Sequence, residues 1–228
     1  MSNILKSILL SNSKKEFALG EQICLEVKYQ NIGNISFTFR DPAKTWEVML
    51  EVVNLSDSST QRLPFGKIIS KIDTFGIRSE AQEPADDITI KPQEYYQFSP
   101  PIYKQHMNIF GPGIYQMKVI DCTNDDETVI SNVMDITIEA KKVSFEYLIT
   151  ICSDDNQSID NREFAVRWIK EIFPDFAYKL EDSTEKEKML NEKMIEKSIE
   201  WWRRHKDNSD VSKNILSINT RAGIVPKK

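Results

Sequence analysis

The residue types that carry covalent or metal chemistry are few in this chain, and their spacing does not suit it. There are two histidines, His106 and His205, and three cysteines, Cys24, Cys122 and Cys152. No histidine or cysteine stands within metal-ligand spacing of another, so no metal site is expected. Only seven glycines occur, and none forms a spaced cluster ahead of a helix. A phosphate-cradling loop is therefore not read. No serine lies in a Gly-x-Ser-x-Gly elbow. His106 and Cys122 could meet in space as a dyad, but a loop histidine and a surface thiol are the simpler reading. Asp121, Asp125, Asp126 and Glu127 form an acidic turn whose oxygens suit a hard cation. Their spacing follows no calcium loop and lacks its central glycine, so the turn reads as a solvated hairpin tip. No catalytic residue, metal or cofactor is expected, and the chain reads as a protein that is not an enzyme.

Aromatic residues offer a different chemistry, that of gripping a partner. Two long connections, residues 56–84 and 100–112, hold Phe65, Phe75, Tyr103 and Phe110. Loops on a rigid scaffold often carry recognition, and buried aromatics supply much of an interface's energy. These four are the expected partner-binding residues; the alternative is that Phe65 and Phe110 plug the ends of a core. Tyr95 and Tyr103 are the freer aromatics and raise carbohydrate binding as a rival. Trp201-Trp202-Arg203-Arg204 could stack nucleobases or clamp a protein. Adjacent helix residues point about 100° apart, so the two rings cannot share one narrow stripe. They are expected to be wedged where two parts of the protein meet.

The elements that must position these residues fall into two classes. Residues 1–140 read as strands. Alternation is clean over 21–30, 45–54 and 113–121, with shorter runs at 35–40, 87–90, 95–99 and 129–140. Period-two patterns bounded by Gly, Pro, Asn and Asp signal an antiparallel sandwich. After Lys141-Lys142 the pattern turns helical. One helix is expected over 143–153. A second is expected from Asp160, with Glu163 completing a capping box and Phe164, Trp168 and Ile172 forming one stripe. A third is expected over 183–205, and the apolar residues of the tail 211–228 should pack against the body. At 228 residues with 40% apolar composition, two small cores are affordable and global disorder is not expected. No apolar run is long enough for a membrane helix, and no signal peptide is read at the N-terminus. Residues 1–140 carry 13 basic and 19 acidic side chains, a balance that disfavours nucleic acid.

Within the β part, Leu19-Gly20-Glu21-Gln22-Ile23 and its following strand, Ile90-Lys91-Pro92-Gln93-Glu94 before Phe98, and Pro112-Gly113-Ile114-Tyr115 stand out. Together they resemble a bacterial immunoglobulin-like domain of the intracellular proteinase inhibitor type. The resemblance implies a sandwich whose Tyr115 closes a corner against backbone; no inhibitory residue of that family has a match to carry over. In the second part, Arg162-Glu163-Phe164-Ala165-Val166-Arg167-Trp168-Ile169, Phe173-Pro174-Asp175-Phe176-Ala177-Tyr178 and Trp201-Trp202 resemble a terminal unit of HEAT-like repeat proteins. Only one such unit is present, whereas repeats need neighbours to cover their faces.

These readings combine into a two-domain α+β protein. Residues 1–140 are expected to form an immunoglobulin-like antiparallel β-sandwich, and residues 143–228 a small all-α HEAT-like domain. The expected role is non-catalytic binding of another protein in a bacterial cytoplasm, of an inhibitory or toxin-neutralising, immunity-like kind. The alternative is a carbohydrate-binding or accessory module of an exported system, and an enzyme of unknown class is the third. Neither nucleic acid nor membrane is expected as a partner. An odd cysteine count, with Met117 where the immunoglobulin disulfide would place a cysteine, indicates free thiols. All three cysteines should therefore react with a thiol reagent in denatured protein without prior reduction. Mass spectrometry showing a Cys24–Cys122 bridge in protein from its native compartment would refute this.

Overall fold

The structure, a computed structural model, describes residues 6–65, 68–72, 78–82, 86–100, 106–124, 127–154, 157–173, 200–205 and 209–224. In chain order the strands are β1 (Lys6–Ser11), β2 (Glu16–Ala18), β3 (Glu26–Asn31), β4 (Phe37–Arg40), β5 (Val48–Asn54), β6 (Thr60–Pro64), β7 (Ile68–Ile72) and β8 (Arg78–Gln82). They continue as β9 (Asp87–Ile90), β10 (Tyr95–Phe98), β11 (Gly113–Asn124), β12 (Glu127–Ile130) and β13 (Met134–Glu139). The helices are α1 (Ser144–Ser153), α2 (Ile159–Ile172) and α3 (Ser209–Arg221). The protein is thus mixed α+β, rich in antiparallel strands with a few helices. Two compact units divide it. The first takes Met1–Lys14, Cys24–Ile102 and Tyr115–Asp135; the second takes Lys15–Ile23, Tyr103–Ile114 and Ile136–Lys228. Segments 15–23 and 103–114, read in the sequence as part of the β region, are grouped with the helices.

In the first unit, β3 lies between antiparallel β1 and β10, with Tyr29 opposite Ile8 on one side and Tyr96 on the other. Antiparallel β5 lies between β6 and β11. Alternation drives one face of each strand inward, since successive side chains point to opposite faces. Val27 and Tyr29 on β3, Val48, Leu50 and Val52 on β5, and Tyr115, Met117 and Val119 on β11 are all buried. Tyr29 stacks on Phe39 at 5.2 Å, and Phe65 meets Phe98 edge-on at 5.6 Å. This arrangement fits a β-sandwich. Burial raises the Tyr115 phenol, with the Asp57 carboxylate adding to it. The connection 56–84 is not structureless: it holds β6 and the paired strands β7 and β8.

Two polar arrangements brace this unit. On the outward face, Glu51 stands between Arg62 and Lys118, its cross-strand neighbours. Its carboxylate accepts from Arg62 Nε at 2.9 Å and pairs with Lys118 Nζ at 2.8 Å. The Lys118 bond holds the Glu51 carboxyl below its ordinary value, against the opposing effect of burial and with help from Arg62. The second arrangement is Asn31, fully buried at the end of β3. Its Oδ1 accepts from Gly33 N–H at 2.9 Å, and its Nδ2 donates to the carbonyls of Ile35 at 2.8 Å and Ile90 at 3.0 Å. One side chain thereby closes the β3–β4 turn and ties it to the end of β9. A related clip holds β1: Leu10 N–H donates to Asn132 Oδ1 at 2.7 Å, and Asn132 Nδ2 donates to Leu10 O at 3.0 Å.

In the second unit, β2 runs parallel to β13, with Phe17 opposite Ile138. Gly20, at φ +83°, turns the chain after β2, and a Cβ there would come within 3.1 Å of the Tyr147 side chain. Helix α2 packs on α1, on the 3-10 turn Met107–Ile109 and on α3. The cap of α2 differs from the expected Asp160. Ser158 takes that place, in extended backbone, and its side chain accepts from Asn161 N–H. Serine there leaves Asp160 inside the first turn, where its charge complements the helix dipole. Residues 200–205 are helical; the rest of the helix expected over 183–205 lies outside the described residues. Trp202 is buried, stacking on Phe145 at 5.0 Å and meeting Phe173 edge-on at 4.9 Å. Trp201 stacks on His205 at 4.6 Å. The described ring contacts of both tryptophans therefore lie inside the second unit. Among the described residues no helix is long and apolar enough to cross a membrane.

Replacing Asn31 with alanine removes three hydrogen bonds and leaves buried backbone groups unpaired. A loss of about 2–3 kcal/mol is expected in denaturant unfolding; an unchanged midpoint would show that the clip is dispensable. For Glu51 the folded-state value is depressed. The network's stabilisation is therefore complete above the ordinary glutamate value of 4.5 and is lost as pH falls through the lower folded value. The gap in melting temperature between wild type and Glu51→Gln should hold at neutral pH and narrow in acid, its neutral size corresponding to about 1 kcal/mol. A gap that widens in acid would contradict the assignment.

Candidate binding cleft

The second unit carries an open cleft of about 420 Å3. It is lined by Glu16 from β2, Glu139 to Lys142 at the end of β13, Ser212, Ile215, Leu216 and Asn219 from α3, and Ile224. The four α3 residues fall at i, i+3, i+4 and i+7, one face of a helix. Asn219 locks that face to the strand end. Its Oδ1 accepts from Ala140 N–H at 2.8 Å, and its Nδ2 donates to Ala140 O at 3.0 Å. The amide thus completes the hydrogen bonding of a residue that has left the sheet.

The far wall comes from the end of α3. Gly223 has φ +74°, a conformation that suits glycine at a helix C-terminus. Ile224 N–H donates to Asn219 O at 2.9 Å and Gly223 N–H to Thr220 O at 3.1 Å, which closes a Schellman turn. That turn folds Ile224 back over the helix beside the cleft. On the other side, Lys141 N–H donates to the buried Ser144 Oγ at 2.9 Å, which fixes the entry into α1.

The result is an apolar floor with charges of both signs around it. Leu216 is half exposed, while Ala140 and Ile224 are buried. Lys141 Nζ pairs with Glu139 Oε2 at 3.1 Å, and Glu16 and Lys142 add one charge of each sign. Ser212 has no histidine or cysteine beside it among the lining residues. Among the described residues no group of three or more His, Cys, Asp or Glu is placed to hold a metal ion. This lining, an apolar floor beside charges of both signs, suits contact with an amphipathic surface.

Of the four residues expected to bind a partner, Phe65 and Phe110 are among the described residues. Phe65 is 1% exposed and belongs to the first unit; Phe110 is 3% exposed and belongs to the second. Neither ring offers surface to a partner in this conformation. Phe75 and Tyr103 lie outside the described residues. Tyr95 is exposed, with Lys28 Nζ 4.0 Å from its ring centroid. Cys24 and Cys122 are exposed free thiols, whereas Cys152 is buried and its thiol is pushed up to about 12, Arg162 opposing the shift. Burial lowers His106 below its ordinary value. The cleft residues were missed because they come from three distant stretches of chain. The signal available in the sequence was the spacing of Val211, Ile215 and Ile218, which is helical.

No known protein family matches the chain, and no curated protein does. Solved structures show distant likeness. The β-glucosidase EmGH1 from Erythrobacter marinus is 10% identical, with a TM-score of 0.31 over 59% of this chain and 15% of that one. The sporulation control protein Spo0M from Bacillus subtilis is 15% identical, with a TM-score of 0.32 over 64% of this chain and 54% of that one. The CARDB domain of the PF1109 protein from Pyrococcus furiosus is 9% identical, with a TM-score of 0.30 over 62% of this chain and 98% of that one. The chain thus spans under a fifth of the glucosidase. At these scores the likenesses assign neither family nor function.

Proposed function

We propose that this protein is a non-catalytic binding protein that grips another polypeptide through the cleft of its second unit. The observation that carries the reading is the lining: Ile215, Leu216 and Ile224 form an apolar strip flanked by Glu16, Glu139, Lys141 and Lys142. An apolar centre with a charged rim is the usual anatomy of a protein interface. An inhibitory or toxin-neutralising role is the specific form this takes. The free cysteines support a cytoplasmic setting. In this reading the first unit is an immunoglobulin-like sandwich, supported by its alternating inner faces. The helices form a HEAT-like unit, supported by the Phe145, Phe173 and Trp202 core. A second reading, a carbohydrate-binding accessory module, is supported by exposed Tyr95 on the outer face of β10.

A photo-crosslinking residue placed at Leu216 in the full chain, expressed in its native host, tests the first reading. One discrete crosslinked protein is expected, lost when Ile215→Asp is added at an unchanged melting temperature. No crosslink at position 216, with one at position 95, would move the site to the sheet face. Glycan binding abolished by Tyr95→Ala would establish the second reading instead.

A further inference from the structure

We propose that Lys6 and Asp121 are the two ends of an intramolecular isopeptide bond that welds β1 to β11. The inference concerns the first unit alone and stands independently of the cleft. Lys6 Nζ lies 2.7 Å from Asp121 Oδ2, and the two side chains are 6% and 0% exposed. An ammonium and a carboxylate held this far from water carry a heavy desolvation cost. Condensing them to an amide removes both charges and returns a water molecule to solvent.

The surroundings sort the two carboxylate oxygens into different roles. Oδ1 accepts from Thr123 N–H at 2.9 Å and from Thr123 Oγ1–H at 2.6 Å. Two fixed donors on one oxygen are what a developing oxyanion needs. Oδ2 has the lysine beside it and is the oxygen placed to leave. Tyr29 supplies the remaining group. Its ring centroid lies 5.8 Å from Lys6 Nζ, and its buried hydroxyl lies beside Asp121. Burial first, and the neighbouring Asp121 charge second, push that phenol well above its ordinary value, so it stays protonated and able to donate.

The step balances without any other reactant. One ammonium proton passes to Oδ2, which leaves Nζ neutral. The Nζ lone pair forms a bond to Cγ, and Oδ1 takes the negative charge under the two Thr123 donors. A second proton moves from Nζ to Oδ2 through the Tyr29 hydroxyl, the Cγ–Oδ2 bond breaks, and Oδ2 departs as water while Cγ=Oδ1 re-forms. The amide keeps one N–H. Nothing is oxidised or reduced.

Intact mass of the full-length chain under denaturing conditions tests this directly. The expected result is a mass one water below that of the sequence. In a tryptic digest, residues 119–141 should be joined to the N-terminal peptide ending at Lys14, with no cleavage after Lys6. Lys6→Arg and Asp121→Ala should restore the full mass, and Tyr29→Phe and Thr123→Val should slow the loss of water at unchanged secondary structure. Wild-type protein that keeps its full mass after prolonged incubation would overturn the proposal, and needs no variant to fold. So would a lost water without the branched peptide, or trypsin cleavage after Lys6.

Discussion

Backbone groups that leave regular structure must still find partners, and in this protein asparagine amides supply several of them. A carboxamide presents one acceptor and two donors in a plane, which imitates a piece of neighbouring strand. Asn132 reads both backbone groups of Leu10, and Asn219 both of Ala140. Asn31 serves three loop groups at once. Asn161, fully buried, accepts from Asn108 N–H at 3.2 Å and donates to Gln157 at 3.0 Å. Each clip sits where a strand ends or a helix meets a turn. The apolar cores could not close over these places if the groups were left bare, because an unpaired buried amide costs about as much as several methylenes gain.

The charged residues divide by the same logic. Glu51 is itself nearly covered, but its two cationic neighbours on the outward parity reach solvent, Arg62 most of all. Lys6 and Asp121 meet in the interior, where the balance of desolvation and attraction is far less forgiving. Sheet register places both sets. Glu51 faces Arg62 and Lys118 because all three sit on the outward parity of adjacent strands. Asp121 is the last residue of β11 paired with β5, just where the strand is bulged against β12.

The inward faces of β3, β5 and β11 were legible in the sequence because period-two alternation is a local signal that burial enforces. So were α1 and most of α2. The edge strand β6 was not, since Thr60, Gln61 and Arg62 are all exposed and show no alternation, and Pro64 mimics a turn. The tail helix α3 was read as apolar patches because Ile215 and Leu216 stand together, masking the wider period. Hydrophobicity could not tell which way loop aromatics face: Phe65 and Phe110 turn inward, as an apolar ring does when a gap in the core is within reach. The cleft was illegible for a different reason. Glu16, Glu139 and Leu216 are neighbours only after long-range pairing, and no local pattern encodes that.

The parallel pairing of β2 with β13 has a consequence for biosynthesis. Glu16 is opposite Thr137, and Leu19 N–H donates to Glu139 O at 2.8 Å. At ribosomal speeds of about 5–20 residues per second, β2 emerges several seconds before its partner exists. For that interval its apolar Phe17 and Leu19 have no strand to cover them. The second unit therefore cannot mature vectorially, from first residue to last. It must hold an early segment in waiting until β13 has been made.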